Sequence, residues 1–279
     1  MKGTLFKSIL YSAIFVLVLL PPLWHFNSHL IDIKKEKEIE ILYQKLLTEA
    51  WLKEEEEKQK LYLTGRFDPA KRDDFVVVPL EYTLYGSKVY LKKETYAVWR
   101  AMEAKAQEDG ISLKITSGAR NFDYQKTLWD NKWSGVTKVE GKNLTKSIPD
   151  GLLRFKKILA YSAAPSTSRH HWGTEIDIND VNPEYFNQRK GIEEYAWLVE
   201  NAPKFGFCQT YNMKEDTGHA TGYDEEKWHW SYLPLARGFT KNYKELVTEQ
   251  DIFGFEGEEY VAEQDLINDY VLSINPECL

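Results

Sequence analysis

Two short stretches hold the side chains of this sequence best suited to chemistry. One is Ser168-Arg169-His170-His171-Trp172-Gly173-Thr174-Glu175-Ile176-Asp177; the other, about fifty residues on, is Glu226-Lys227-Trp228-His229-Trp230. Together they offer two imidazoles and a carboxylate for one Zn²⁺, with a second carboxylate just ahead of the last imidazole. A catalytic zinc site uses three protein ligands and keeps a fourth position open. A carboxylate beside it can move protons. The chemistry served by such an inventory is metal-assisted hydrolysis. Taken singly each residue is ordinary, since a lone histidine is more often a hydrogen-bonded core or surface group and an Asp in a strand is often a cap.

The elements that must position these groups can be read from periodicity. Leu113-Lys114-Ile115-Thr116-Ser117 alternates as a half-buried strand, and further strands are expected at 175–178 and 228–232. In a strand over 228–232, His229 faces away from Trp228 and Trp230, so Glu226 has to reach the metal through the preceding turn. Alternation also puts Glu175 on the face of Asp177, where it could bind a substrate amine, tune the metal's water or turn away at a bulge. Helices are expected over about 93–108, where Val98, Trp99, Met102 and Ala106 share a face before the Asp109-Gly110 stop, and over 122–132, 151–159 and 192–201. Phe75-Val76-Val77-Val78 and Val89-Tyr90-Leu91 are short β-prone segments. Helices and short strands without regular βαβ alternation give an α+β domain, a small antiparallel sheet flanked by helices.

With 279 residues, 43% hydrophobic and 14% aromatic, the chain can bury a core and is not disordered. A formal net charge of −7 argues against a nucleic-acid partner, which needs a basic surface. Lys2 and Lys7 precede an apolar run over 9–20, which reads as a secretory signal or membrane anchor. No small-x-small cleavage site follows, so an uncleaved membrane-anchor helix is the expectation. The catalytic domain then lies in the periplasm or outside the membrane. Residues 31–60 are charged and helix-prone, with Ile39, Leu42, Leu46 and Ala50 at helical spacing, and form a helical stalk or an amphipathic helix packed on the domain. The expected organisation is 1–30 signal or anchor, 31–60 stalk and 61–279 peptidase domain. Cys208 and Cys278 are the only cysteines; in an exported chain they form either one disulfide closing the tail or two separate thiols.

Ser-x-His-x-x-Gly-x-x-x-Asp followed by Glu-x-x-His in an aromatic strand resembles the D-alanyl-D-alanine carboxypeptidase family related to VanY and VanX, zinc peptidases that trim bacterial cell-wall peptides. The resemblance covers roughly 61–235 and implies a zinc D,D-peptidase-like fold. It implies His170, Asp177 and His229 as Zn²⁺ ligands, with Gly173 letting the chain turn between the first two, and it selects Glu226 over Glu225 as general base. His171 then points elsewhere as packing or support. His219 lies in a Thr/Gly-rich loop, and His25 and His29 lie near the membrane segment. Ile115-Thr116-Ser117-Gly118-Ala119-Arg120, followed by Gln125, resembles the family's Ser-Gly-x-Arg…Gln segment, in which the Arg binds substrate or stabilises the developing oxyanion. A local pair of Arg120 with Asp123 is the alternative. Ser168 resembles a substrate-contacting serine, and Gln125 is expected to orient substrate. Glu175 departs from the pattern, which most often has a small residue there.

The implied activity is zinc-dependent removal of the terminal D-amino acid from peptidoglycan stem peptides. The alternatives are an L,D-carboxypeptidase acting on tetrapeptide stems, D,D-dipeptidase and endopeptidase relatives, and a zinc-stabilised module that only binds cell wall. Glu226 separates the last of these, because a structural zinc needs neither an adjacent base nor an open position.

Overall fold

The computed structural model describes residues 29–214 and 221–279, with side chains from residue 35. The expected anchor and His219 lie outside these residues, as does the side chain of His29. The chain divides into two units, Met1–Lys53 and Glu54–Leu279. Helix α1 (His29–Leu63) ends in the second unit. There Leu63 is buried with Trp172, Tyr243, Val247 and Val271. Among the described residues no helix is long and apolar enough to cross a membrane.

A two-stranded antiparallel ribbon pairs β1 (Phe75–Val77) with β2 (Tyr90–Lys92). The main sheet has four strands in the order β3-β4-β6-β5: β3 (Ile115–Ser117), β4 (Glu175–Ile178), β6 (His229–Tyr232) and β5 (Phe207–Gln209), all antiparallel. Strand β5 and the helix after β6 are elements that periodicity had not marked.

The pleat divides the central strands into two sets. Ile176, Ile178 and Trp230 join Ile115 and Phe207 in the main core, packed on Trp99, Met102 and Ala106 of α2 (Lys93–Glu108) and Trp197 and Leu198 of α6 (Arg189–Asn201). Each such fully buried side chain stabilises by roughly 1.5–3 kcal/mol. Alternation sends Glu175, Asp177, His229 and Ser231 to the opposite face, where all four are nevertheless buried. A polar row that is dry on the far side of a sheet needs partners supplied from elsewhere in the fold.

Helices α3 (Phe122–Trp133), α4 (Leu144–Ser147) and α5 (Gly151–Leu159) build a second cluster, in which Trp129, Leu144, Phe155 and Ile158 meet Ile252, Phe255 and Leu266 of the C-terminal region. Helix α7 (Leu233–Leu246) follows β6 directly, with Pro234 in its first turn, where a missing N–H costs nothing. The tail beyond it is buried at Val271, Ile274 and Cys278, and a Cys208–Cys278 disulfide ties it to β5. Of the two states left open for the cysteines, the bridged one is present.

Candidate metal centre and its cleft

Strand register sets two of the expected ligands face to face: Asp177 and His229 are Cα partners on β4 and β6. The third comes from a 3₁₀ turn, Arg169–Trp172, that leads into β4 and ends at Gly173. Gly173 has φ +76°, a left-handed conformation that a side chain would strain, and a Cβ there would also press on the Phe75 ring. The turn brings His170 Nε2 to 3.4 Å from Asp177 Oδ1, while His229 Nδ1 stands 3.8 Å from the same oxygen. Donor atoms of the three residues all lie within 4.8 Å of one another.

Two atoms in this group have no hydrogen-bond partner although buried: His170 Nε2 and Asp177 Oδ1. An unpaired polar atom in the interior costs on the order of 1–3 kcal/mol, so a cation between these atoms resolves an otherwise unfavourable arrangement. Nδ1 of His170 donates to Gly118 O at 2.7 Å, which leaves Nε2 as the lone-pair nitrogen. Burial, with the Arg120 charge nearby, pulls His170 below the ordinary imidazole range, so it is neutral. Burial opposes ionisation of Asp177, yet His170, His229 and Arg120 together bring it down to about 2. Two imidazoles and one ionised carboxylate therefore fit a divalent cation.

His229 is held at both nitrogens. Nδ1 lies 3.0 Å from Glu226 Oε2, and Nε2 lies 2.9 Å from Glu175 Oε2. Burial alone would depress its pKa, but the bonds to Glu175 and Glu226 outweigh burial and push it up to about 9 in the metal-free protein. Glu226 thus stands beside the ligand atom and keeps part of its carboxylate in solvent. Glu225 turns away, accepting from Tyr195 OH at 3.2 Å and pairing with Lys227 at 3.7 Å.

Arg120 follows β3 and precedes Asn121, whose side chain caps α3 by accepting from Tyr124 N at 2.9 Å. Its backbone is clamped: its N–H donates to His170 O at 3.1 Å, and its carbonyl accepts from His171 Nδ1 at 2.5 Å. Burial drives His171 down to about 3, so this ring is a neutral donor that supports Arg120 rather than a ligand. Arg120 makes no ion pair among the described residues; Asp123 is not its partner, and the Asp123 charge acts instead on Arg66. Arg120 lines a cleft of about 410 Å³ with Gly118, Tyr90, Lys88 and Tyr124, which His170, Asp177 and His229 do not themselves line. The Nε of this guanidinium is buried and has no hydrogen-bond partner.

Ser168 is buried at the start of the 3₁₀ turn, and its hydroxyl makes no capping bond. Gln125 belongs elsewhere: its amide donates to Ala163 O at 2.7 Å, holding the segment that leads to Ser168. The geometry makes Gln125 a brace for that loop and gives no support to contact with substrate. Sequence reasoning missed Arg169 and left Glu175 without a role, although the two form a buried ion pair at 3.3 Å behind His229. The departure from the small residue expected at 175 was the available signal.

Residues 88–235, more than half of the chain, match the VanY family, D-alanyl-D-alanine carboxypeptidase. Among curated proteins the chain is similar to the putative carboxypeptidase YodJ of Bacillus subtilis, 29% identical over 176 residues, covering 61% of this chain and 56% of that protein. It is equally similar to a D-alanyl-D-alanine carboxypeptidase of Enterococcus faecalis, 29% identical over 183 residues, covering 65% and 61%. Among solved structures it is similar to the LdcB LD-carboxypeptidase, with a TM-score of 0.45, 26% identity and coverage of 66% of this chain and 81% of that one. The chain thus spans less than two thirds of the length of these curated relatives. His170, Asp177, His229, Arg120 and Glu226 all fall within the matched segment, and the chain belongs to the VanY D-alanyl-D-alanine carboxypeptidase family.

Proposed function

We propose that this protein is an exported zinc-dependent carboxypeptidase that removes the terminal D-amino acid from peptidoglycan stem peptides. His170, Asp177 and His229 would hold the zinc, which when bound supplies the Lewis acidity that polarises a peptide carbonyl and acidifies water. Glu226 is placed to take a proton from the attacking water at Oε2 and to return it to the leaving amine. Arg120 offers a guanidinium fork to the substrate's free carboxylate or to the developing oxyanion, and the cleft beside it receives the peptide. Ser168, at the entrance to the ligand turn, is assigned to substrate contact. Membrane attachment through the apolar run over 9–20 keeps the domain near its wall substrate.

The observation that carries the reading is the separation of two adjacent acids: Glu226 Oε2 is 3.0 Å from a ligand nitrogen, while Glu225 is engaged by Tyr195 and Lys227. A zinc used only for stability would have no use for the first. Incubation with defined pentapeptide and tetrapeptide stems, followed by mass identification of the released amino acid, tests the activity. Release from the pentapeptide identifies D,D cleavage; release only from the tetrapeptide identifies L,D cleavage. Glu226→Gln should lower turnover by about 10² or more with zinc retained, and Glu225→Gln should leave it nearly intact. If the two variants behave alike, Glu226 is not the base. If the wild type releases nothing from any stem, the protein is a binding module.

A further inference from the structure

Glu175 is fully buried, and each of its oxygens is engaged. Oε2 receives His229 Nε2 at 2.9 Å and the Thr210 hydroxyl at 3.1 Å. Oε1 receives the Ser231 hydroxyl at 2.8 Å and faces Arg169 Nη2 at 3.3 Å. Arg169 is fixed in turn: it lies over the Trp172 ring at 4.5 Å and donates through Nη1 to Thr240 Oγ1 at 3.0 Å and Val271 O at 3.4 Å. Partners from β6, from the residue after β5 and from the 3₁₀ turn thus converge on one carboxylate at the back of one ligand, and α7 and the tail hold the arginine among them. An ion pair in the interior is weak grounds for stability, because well-packed apolar side chains of similar volume often serve as well. Its place against His229 is the informative feature.

We propose that Glu175 is a positioning residue for the metal centre: it holds the Nε2 proton of His229 so that Nδ1 presents its lone pair towards Asp177 and His170. Carboxylates face both nitrogens, Glu226 at Nδ1 and Glu175 at Nε2, but only Nδ1 lies near Asp177 Oδ1, so a neutral imidazole that gives Nδ1 to the metal keeps its one proton on Nε2, where Glu175 accepts it. The strand register supports the arrangement, since Glu175 opposes Ser231 and Asp177 opposes His229 on the same face. The two histidine ligands then present opposite nitrogens, His170 through Nε2 because Gly118 O holds Nδ1, and His229 through Nδ1 because Glu175 holds Nε2. Arg169 supplies the countercharge that lets the carboxylate stay ionised in the interior. The inference rests on the reading of His170, Asp177 and His229 as zinc ligands.

The test uses the full chain and measures zinc dissociation constants by chelator competition. Glu175→Gln should bind zinc about 10- to 100-fold more weakly than wild type, the range typical of a lost partner behind a ligand. Because that variant strands Arg169 without its countercharge, Arg169→Met/Glu175→Gln is measured alongside it and decides the matter if the single variant does not fold. Wild-type affinity in a folded Glu175→Gln protein, or its full recovery in the double variant, overturns the proposal. A readout free of any substitution comes from ¹⁵N spectra of the zinc-loaded wild type, where His229 should carry its proton on Nε2 and the metal on Nδ1. The reverse assignment overturns the proposal whatever the variants do. No zinc uptake by the wild type removes the metal reading itself, and this inference with it; equal uptake by wild type and variants removes this inference alone.

Discussion

With zinc removed, raising the pH from 6.5 to 8 should take away about 1.5 kcal/mol of the stability that His229 contributes to the folded chain. The cause is His229, which Glu175 and Glu226 push up to about 9 against the effect of burial. A group whose folded pKa lies above its unfolded value adds stability that is complete below the unfolded value, about 6.5, and is lost as pH rises through the folded one. Between these limits each pH unit removes up to about 1.4 kcal/mol, and the window spans about 1.5 units. His170 and His171, which lie below the ordinary imidazole range when folded, oppose this over the first unit of the window, while the unfolded imidazoles are still partly protonated. Lys132, lowered to about 8 by burial and the nearby Arg120 charge, acts in the opposite direction from about pH 7 upward, so the His229 contribution is read against the zinc-loaded protein, which shares that offset. For a unit of this size that contribution corresponds to roughly 3–6 °C in Tm. Thermal unfolding of chelator-treated protein at half-unit steps of pH measures it. The zinc-loaded protein should lack this loss, because His229 then gives its Nδ1 lone pair to the metal and has no second proton to lose. A metal-free Tm whose pH trend matches that of the zinc-loaded protein would refute the assignment of a charged His229 between two carboxylates.

Arg120→Lys retains the charge but loses the fork, so kcat/KM on free-acid peptides should fall by about tenfold or more while zinc content is unchanged; equal wild-type efficiency on free-acid and amidated peptides would argue against a carboxylate grip. Gly65 has φ +75°, and a Cβ there would overlap the His171 ring; Gly65→Ala should destabilise by about 1–3 kcal/mol in urea, whereas Gly86→Ala, with φ +61° and open space, should cost about 1 kcal/mol from strain alone. Cys278→Ser opens a disulfide spanning 70 residues and should cost roughly 4 kcal/mol, read as a reductant-sensitive Tm in the wild type that the variant lacks.

The ligands could be read from the sequence because their pattern is local. His170 and Asp177 share one turn and strand, and His229 follows Glu226 at a spacing that a turn into a strand satisfies. Helix α2 was equally plain, since Trp99, Met102 and Ala106 repeat on one face and Asp109-Gly110 ends it. Strand β5 left no trace, because three consecutive buried residues alternate in nothing. Helix α7 carried a signal that went unused, Pro234 in its first turn with Ala236, Thr240 and Tyr243 at helical spacing. Glu175 was visible as an oddity but not as a part, since Arg169, Thr210 and Ser231 reach it from separate elements. Gln125 shows the opposite case: the motif placed it in the right neighbourhood, and packing sent its amide to Ala163.

The tail that closes onto β5 also imposes an order of events. Asn275 N–H donates to Thr210 O at 2.9 Å, and Val271 O receives Arg169, so the last nine residues reach back to the surroundings of Glu175 and His229. A chain synthesised from its N-terminus exposes Ser168 to Asp177 long before Val271, Asn275 or Cys278 exists. The ligand sequence therefore precedes the enclosure that holds it, and Arg169 meets its Val271 acceptor only once that later segment has packed back. A protein cut before Val271 should therefore keep its motifs and lose the Val271 and Asn275 contacts that stand behind Glu175 and His229.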